Sequence, residues 1–177
     1  VAAIPFTKAM HMLTGPGGVA VRADDVSKQL LAQPEAGYAT LGDFQSKHLL
    51  DLDACTKCGK CHEACPARAS GMPLSPRDLI LDLREASATG FAERLPGAVV
   101  SEETLWSCMQ CNACVEICPV GIEHVPVINL LRRALVEEAQ MPSQLQTTLE
   151  TIHTSGNSFG EARRKRARWV KDAGLTL

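Results

Sequence analysis

Aromatic residues are scarce in this chain. Phe, Trp and Tyr make up 4% of its 177 residues, so any core is assembled from Leu, Val, Ile and Ala rather than from stacked rings. No apolar run is long enough to cross a bilayer. The opening V-A-A-I-P-F-T-K-A-M-H-M-L-T is apolar but broken by Pro5, Lys8 and His11, and it lacks the pattern of a secretory leader. A chain that begins in this way is expected to be a fragment, or a processed product, of something larger. No phosphate loop, no G-x-G-x-x-G, no H-E-x-x-H and no Ser/His/Asp set occurs, which removes the usual signatures of nucleotide binding and hydrolysis. Gly15-Pro16-Gly17-Gly18 follows no strand pattern and reads as a turn. There is no excess of positive charge either. The formal net charge is −2, which argues against nucleic acid as the main partner.

Cysteine is missing from most of the chain and concentrated in two blocks. All eight lie in C-T-K-C-G-K-C-H-E-A-C-P, which holds Cys55, Cys58, Cys61 and Cys65, and in C-M-Q-C-N-A-C-V-E-I-C-P, which holds Cys108, Cys111, Cys114 and Cys118. The spacing C-x-x-C-x-x-C-x-x-x-C-P occurs twice and is that of cubane iron–sulfur binding. Three thiolates spaced two residues apart wrap one face of a cubane from a single loop. The fourth points away as its chain turns into a helix, and so reaches the neighbouring cluster. This reading gives cluster I to Cys55, Cys58, Cys61 and Cys118, and cluster II to Cys65, Cys108, Cys111 and Cys114. The expected cofactors are therefore two [4Fe-4S] clusters, with no catalytic residue. Pro66 and Pro119 suit the turn after each fourth cysteine. Gly59 and Asn112 hold matching places and tolerate the left-handed backbone that would turn amides toward sulfur. Two thiolate-ligated cubanes, added to a formal charge of −2, bring the loaded chain to roughly −6.

Other metal chemistry fits less well. Zinc sites commonly use two C-x-x-C pairs across a longer gap, and disulfides need an oxidising compartment. A zinc-binding structural scaffold is the alternative from another class. Reduced cysteines place the chain in the cytoplasm or on the cytoplasmic side of a membrane. Lys57 and Lys60 flank the first block, whereas the second has no Lys or Arg between its ligands. On loop charge alone, cluster I is expected to have the higher potential. His62, inside the first block, is a candidate for tuning its cluster but reads more readily as solvent-facing. His48, His124 and His153 read as structural, and His11 is set aside as a haem ligand or quinone neighbour.

Periodicity predicts helices and no convincing strand. Residues 1–22 read as an interfacial segment, with Ile4, Phe6, Met10, Met12 and Leu13 covering a membrane face or a partner, or else as a tail packed over the core. Residues 23–40 read as a short helix and a linker. Asp43 is the expected N-cap of a helix whose stripe is Phe44, Leu49, Leu50 and Leu52. Ser75-Pro76-Arg77-Asp78 starts a helix that buries Leu79, Ile80, Leu83 and Ala86 and ends near Thr89-Gly90. Residues 91–100 form a loop, and Ser101 caps the next helix. Further helices are expected over 127–140, from Pro142-Ser143 to Ser155, and over 161–173, where Arg163, Arg164, Lys165 and Arg166 form a solvated face or a contact for anionic lipid. The predicted fold is mostly α: an α-helical di-cluster ferredoxin over 41–140, an N-terminal extension over 1–40 that is juxtamembrane or interfacial, and a C-terminal helical extension over 141–177.

The runs G-D-F-x-x-K-x-L-L-D-L-D-A-C-T-x-C-G-x-C-x-x-A-C-P-A and G-x-P-L-S-P-R-D-L-I-L-D-L-R resemble the iron–sulfur region of heterodisulfide-reductase-related proteins. So do L-W-x-C-x-x-C-x-A-C-V-E-x-C-P-V-x-I-E-H and the later S-G-N-S-F-G. The resemblance covers roughly residues 40–177. It is nearest to the ferredoxin region of membrane-bound electron-transfer-flavoprotein:menaquinone oxidoreductases. It implies a module that relays single electrons from a flavoprotein or other redox subunit to a quinone-reducing membrane domain or a heterodisulfide-reductase-type acceptor, at the cytoplasmic face of the inner membrane. The membrane helices and C-C-G repeats of that family are not in this sequence, so the chain is read as an excised middle portion or a shortened subunit. An iron–sulfur subunit of a glycerol-3-phosphate, lactate or succinate-type dehydrogenase is the alternative within redox chemistry. The succinate type would need a further plant-type cysteine run.

Overall fold

The computed structural model describes residues 10–22, 36–90, 94–162, 165 and 168–175. Ile4, Phe6 and Lys8 of the expected interfacial segment, most of the expected linker, and Arg163, Arg164 and Arg166 lie outside these residues. The chain divides into two compact units, residues 1–138 and 139–177.

The first unit is helical. In chain order it holds α1 (His11–Ala20), a 3-10 turn (Leu41–Asp43), α2 (Ser46–Ala54), α3 (Lys60–Glu63), α4 (Pro66–Ala69), α5 (Pro76–Thr89), α6 (Glu102–Trp106), α7 (Ala113–Glu116) and α8 (His124–Glu137). Extended pairing among the described residues is limited to two isolated bridges, Thr40 with Arg94 and Pro96 with Val100. The architecture repeats. Each cysteine block is preceded by a helix (α2, α6), encloses a one-turn helix (α3, α7) and is followed by a long one (α5, α8). The long helices α5 and α8 are both 14 residues.

Local chemistry explains the starts and stops. Ser75 Oγ accepts from the Asp78 amide at the head of α5, and Ser101 Oγ accepts from the Thr104 amide at the head of α6. Pro76 occupies the first turn of α5, where its missing N–H is not needed. Leu79, Ile80, Leu83 and Ala86 line the buried face of α5, while α8 buries Ile128, Leu130, Leu131 and Leu135. Between them the core takes in Tyr38, Leu41, Leu52, Leu95 and Leu105, all at most 2% exposed. Tyr38 stacks on Phe44 with ring centroids 4.2 Å apart, so two of the chain's few aromatics meet in the core.

The structure departs from the sequence expectation at three places. Gly15-Pro16-Gly17-Gly18 is not a turn but the middle of α1. Its small residues let α1 lie close: a side chain on Gly18 would meet the Val120 carbonyl at 3.3 Å and Asp51 Oδ1 at 3.6 Å. Asp43 does not cap α2. Its carboxylate accepts from the Ala39 and Thr40 amides and closes a capping box with Thr40 around the 3-10 turn, and Gln45 stands at the head of α2. The helix expected over 161–173 is shorter where it is described.

The second unit contains α9 (Ser143–Ser155) and α10 (Arg168–Asp172). Gly156, with φ of 77°, ends α9 in left-handed backbone. The Asn157 side-chain oxygen then accepts from the Phe159 and Glu161 amides, and this holds Glu161 in a turn rather than a helix.

Candidate iron–sulfur site

Each cysteine block begins as its leading helix ends and winds back on itself before the next helix. The winding is steep. Gly59 and Asn112 adopt φ of 80° and 61°, and Lys57 and Gln110 adopt 58° and 55°. The second pair carries no sequence signal, because neither Lys nor Gln favours this region. A non-glycine residue held there costs on the order of 1–2 kcal/mol, so the loops maintain strain at two equivalent positions. The result is amides turned toward sulfur. The Gln110 amide donates to Cys108 Sγ at 3.4 Å, the Ile122 amide donates to Cys118 Sγ at 3.4 Å, and the Lys57 amide bonds Cys55.

The loops place the eight thiols around two cavities. Cys55, Cys58, Cys61 and Cys118 line one, which is partly open to solvent. Cys65, Cys108, Cys111 and Cys114 line the other. Each cavity thus draws three cysteines from one block and the fourth from the other. Cys58 and Cys111 are exposed, whereas Cys61 and Cys114 lie inside, beside Val115 and Val125. Among the described residues, no three His, Cys, Asp or Glu side chains close on a point suited to one metal ion. Four thiols lining one cavity from two loops of this spacing suit a polyatomic cluster that brings its own sulfides.

Burial and mutual repulsion both act on these thiols. Burial, followed by the neighbouring thiols of Cys118, Cys55 and Cys58, pushes the Cys61 thiol up to about 12. Burial and then the thiols of Cys108, Cys61, Cys111 and Cys65 do the same to Cys114, also to about 12. Burial also raises Cys55 and Cys108. Such sulfurs stay protonated at neutral pH unless a strongly cationic centre takes the protons' place, which is the condition iron supplies. The residues present fit a [4Fe-4S] cluster at each cavity.

The surroundings contain groups that ligand spacing does not reveal. His62 is buried, not solvent-facing: its Nδ1 lies 2.7 Å from Ser75 Oγ, which ties α3 to the cap of α5. His124 is 1% exposed and lines the first cavity with Nδ1 3.1 Å from the Ile122 carbonyl, and burial drops its pKa to about 4. Arg77 also lines the first cavity, with Nε 2.7 Å from Asp78. Arg132 sits behind the second. Its guanidinium donates to the Leu105 carbonyl at 2.8 Å and the Cys108 carbonyl at 2.6 Å. A buried network supports the Cys118 segment: Tyr38 Oη is 2.7 Å from His48 Nδ1, His48 Nε2 is 3.4 Å from Glu123, and the Glu123 amide donates to Asp51 at 3.0 Å. Lys47 pairs with Asp51 in the same network. His153 is exposed in the second unit.

Residues 51–122 match the family of 4Fe-4S dicluster domains. The chain is 31% identical to a probable iron–sulfur-binding oxidoreductase of Bacillus subtilis, over 96% of the chain and 31% of that protein. It is 30% identical to the EtfAB:quinone oxidoreductase of Syntrophomonas wolfei, over 99% of the chain and 30% of that protein. It is 33% identical to one subunit of the ferredoxin:CoB-CoM heterodisulfide reductase of Methanosarcina mazei, over 62% of each. The chain therefore spans about a third of the first two relatives. Among the described residues, no helix is long and apolar enough to cross a membrane.

Proposed function

Taking as premise that the chain is related to the iron–sulfur proteins of heterodisulfide reductases and EtfAB:quinone oxidoreductases, and carries their two-cluster 4Fe-4S domain, we propose that it relays single electrons between a flavoprotein donor and a quinone or disulfide-type acceptor. The observation that carries this reading is the pair of cavities, each walled by four cysteines drawn from both blocks. The proposed ligands are Cys55, Cys58, Cys61 and Cys118 for cluster I, and Cys65, Cys108, Cys111 and Cys114 for cluster II. A bound [4Fe-4S] cluster supplies one reversible electron step. The protein contributes placement, burial and charge. Val115 and Val125 keep water out from between the two cavities, the strained loops aim amides at sulfur, and the exposed edges at Cys58 and Cys111 give electrons two ways in or out. The named activities of two relatives support a flavoprotein partner and a quinone or heterodisulfide acceptor. A place at the cytoplasmic face of the inner membrane follows from the same reading.

The test is anaerobic expression and purification. The chain should be brown, bleach on addition of dithionite, and contain iron and acid-labile sulfide at roughly eight of each per chain. Colourless protein with zinc and no sulfide would establish the scaffold reading instead.

A further inference from the structure

The two proposed clusters sit in loops of equal spacing, so any difference between their potentials comes from what surrounds them. The cations beside the first cavity are weakened or neutralised. Lys57 and Lys60 are exposed, where water screens their charge strongly. Arg77 lies 2.7 Å from the carboxylate of Asp78, and Arg84 lies 3.5 Å from that of Asp53. The cation behind the second cavity is placed differently. Arg132, on α8, is half-buried and stacks its guanidinium 5.1 Å from the centroid of the Trp106 ring. Both of its hydrogen bonds go to neutral carbonyls, one of them that of the ligand residue Cys108. Among the described residues, no carboxylate pairs with it. The acid within that block, Glu116, is 67% exposed and lies 3.7 Å from Arg22.

We infer that Arg132 is the potential-setting residue of the pair. Its uncompensated charge behind Cys108 favours the reduced, more negative state of cluster II, and cluster II accepts the first electron. This is the reverse of the order expected from loop charge alone. The physical reason is that a charge in a low-dielectric site acts several-fold more strongly than an exposed one at similar distance. Arg132 is a positioning and electrostatic residue rather than a ligand, and its carbonyl bonds also hold the strained Cys108–Gln110 turn. The inference rests on the two-cluster reading above.

The experiment is a potentiometric titration of the intact iron-loaded chain, followed by electron paramagnetic resonance. The cluster II signal is identified as the one that changes in Cys111→Ser. In the unaltered chain, cluster II should reduce first. Arg132→Met, which keeps contact with Trp106 but removes the charge, should lower the reduction equilibrium constant of cluster II at least about tenfold, a shift of about 59 mV for one electron. Cluster I should stay where it was. Arg132→Lys keeps a cation and should restore most of the difference, which a purely structural role would not do. The mirror test is Asp53→Asn, which frees Arg84 and should raise cluster I selectively. It serves as the deciding variant should Arg132→Met fail to load. Cluster I reducing first in the unaltered chain, equal shifts of both clusters, or potentials indifferent to Arg132→Met and Asp53→Asn would each overturn the inference. A chain without iron or sulfide would instead overturn the two-cluster reading on which it rests.

Discussion

At the scale of single residues, His124 shows how a side chain outside the ligand set can govern acid stability. It is buried beside the first cavity, and burial holds its pKa near 4, well below the 6.5 of an unfolded chain. Between these values the unfolded chain binds a proton that the folded chain refuses. Stability is therefore undiminished above about pH 6.5 and falls as pH drops toward 4. The loss is about 2 kcal/mol at pH 5. His124→Gln keeps a donor for the Ile122 carbonyl but cannot titrate, so its urea midpoint should fall less between pH 7.5 and pH 5 than that of the unaltered chain. Parallel declines would show that His124 does not carry this effect. Residue identity alone does not reveal the role. Sequence shows a histidine after the second block, and only the packing of α8 shows that it is enclosed. Arg132 is hidden for a related reason: it follows Cys108 by 24 positions and meets it only because the helix it sits on folds back.

At the scale of elements, legibility depends on whether the determinant is local. Ser75, Pro76 and Gly90 mark α5 by cap, first-turn proline and terminal glycine, and the helix runs between them as read. The left-handed positions at Gly59 and Asn112 are legible because their side chains tolerate that backbone, whereas those at Lys57 and Gln110 are imposed by the loop against preference. Helix α1 is illegible: its glycines and a proline argue against it locally, and its packing on α2 overrides them. Gly37 shows the same tertiary demand in its sharpest form. A Cβ there would stand 2.2 Å from the Ala134 amide nitrogen in the backbone of α8, and the Gly37 amide already donates to Glu137. Backbone cannot yield as a side-chain tip does, so Gly37→Ala should destabilise the first unit by about 3 kcal/mol. Gly71→Ala is the control, with φ of 86° but open space around it, and should cost only about 1 kcal/mol. Thermal unfolding of the two variants checks the order, and equal losses would remove the argument from close approach.

At the scale of the whole molecule, the exchange of fourth cysteines makes the two blocks mutually dependent. Cys118 leaves its own loop to line the cavity of Cys55, Cys58 and Cys61, and Cys65 does the reverse. The segment that carries Cys118 is anchored to α2 by the Asp51 carboxylate on the Glu123 amide and by Lys47 on the Gly121 carbonyl at 3.3 Å. A disturbance in one half of the chain is thus delivered to the cavity of the other. Cys118→Ser should weaken the first block's cluster while sparing that of its own loop. Iron content should fall by roughly half. The remaining thiols then report which half was lost: anaerobic alkylation followed by mass spectrometry should label Cys55, Cys58 and Cys61 and leave Cys108, Cys111 and Cys114 protected. Cys65→Ser should give the opposite labelling. Labelling confined to the substituted block would mean that each loop holds its own cluster, and the cavities would then need another explanation. Labelling in the crossed pattern would make the ferredoxin unit an interlocked whole, in which neither cysteine loop can be replaced without consequence for electron entry or exit at the other.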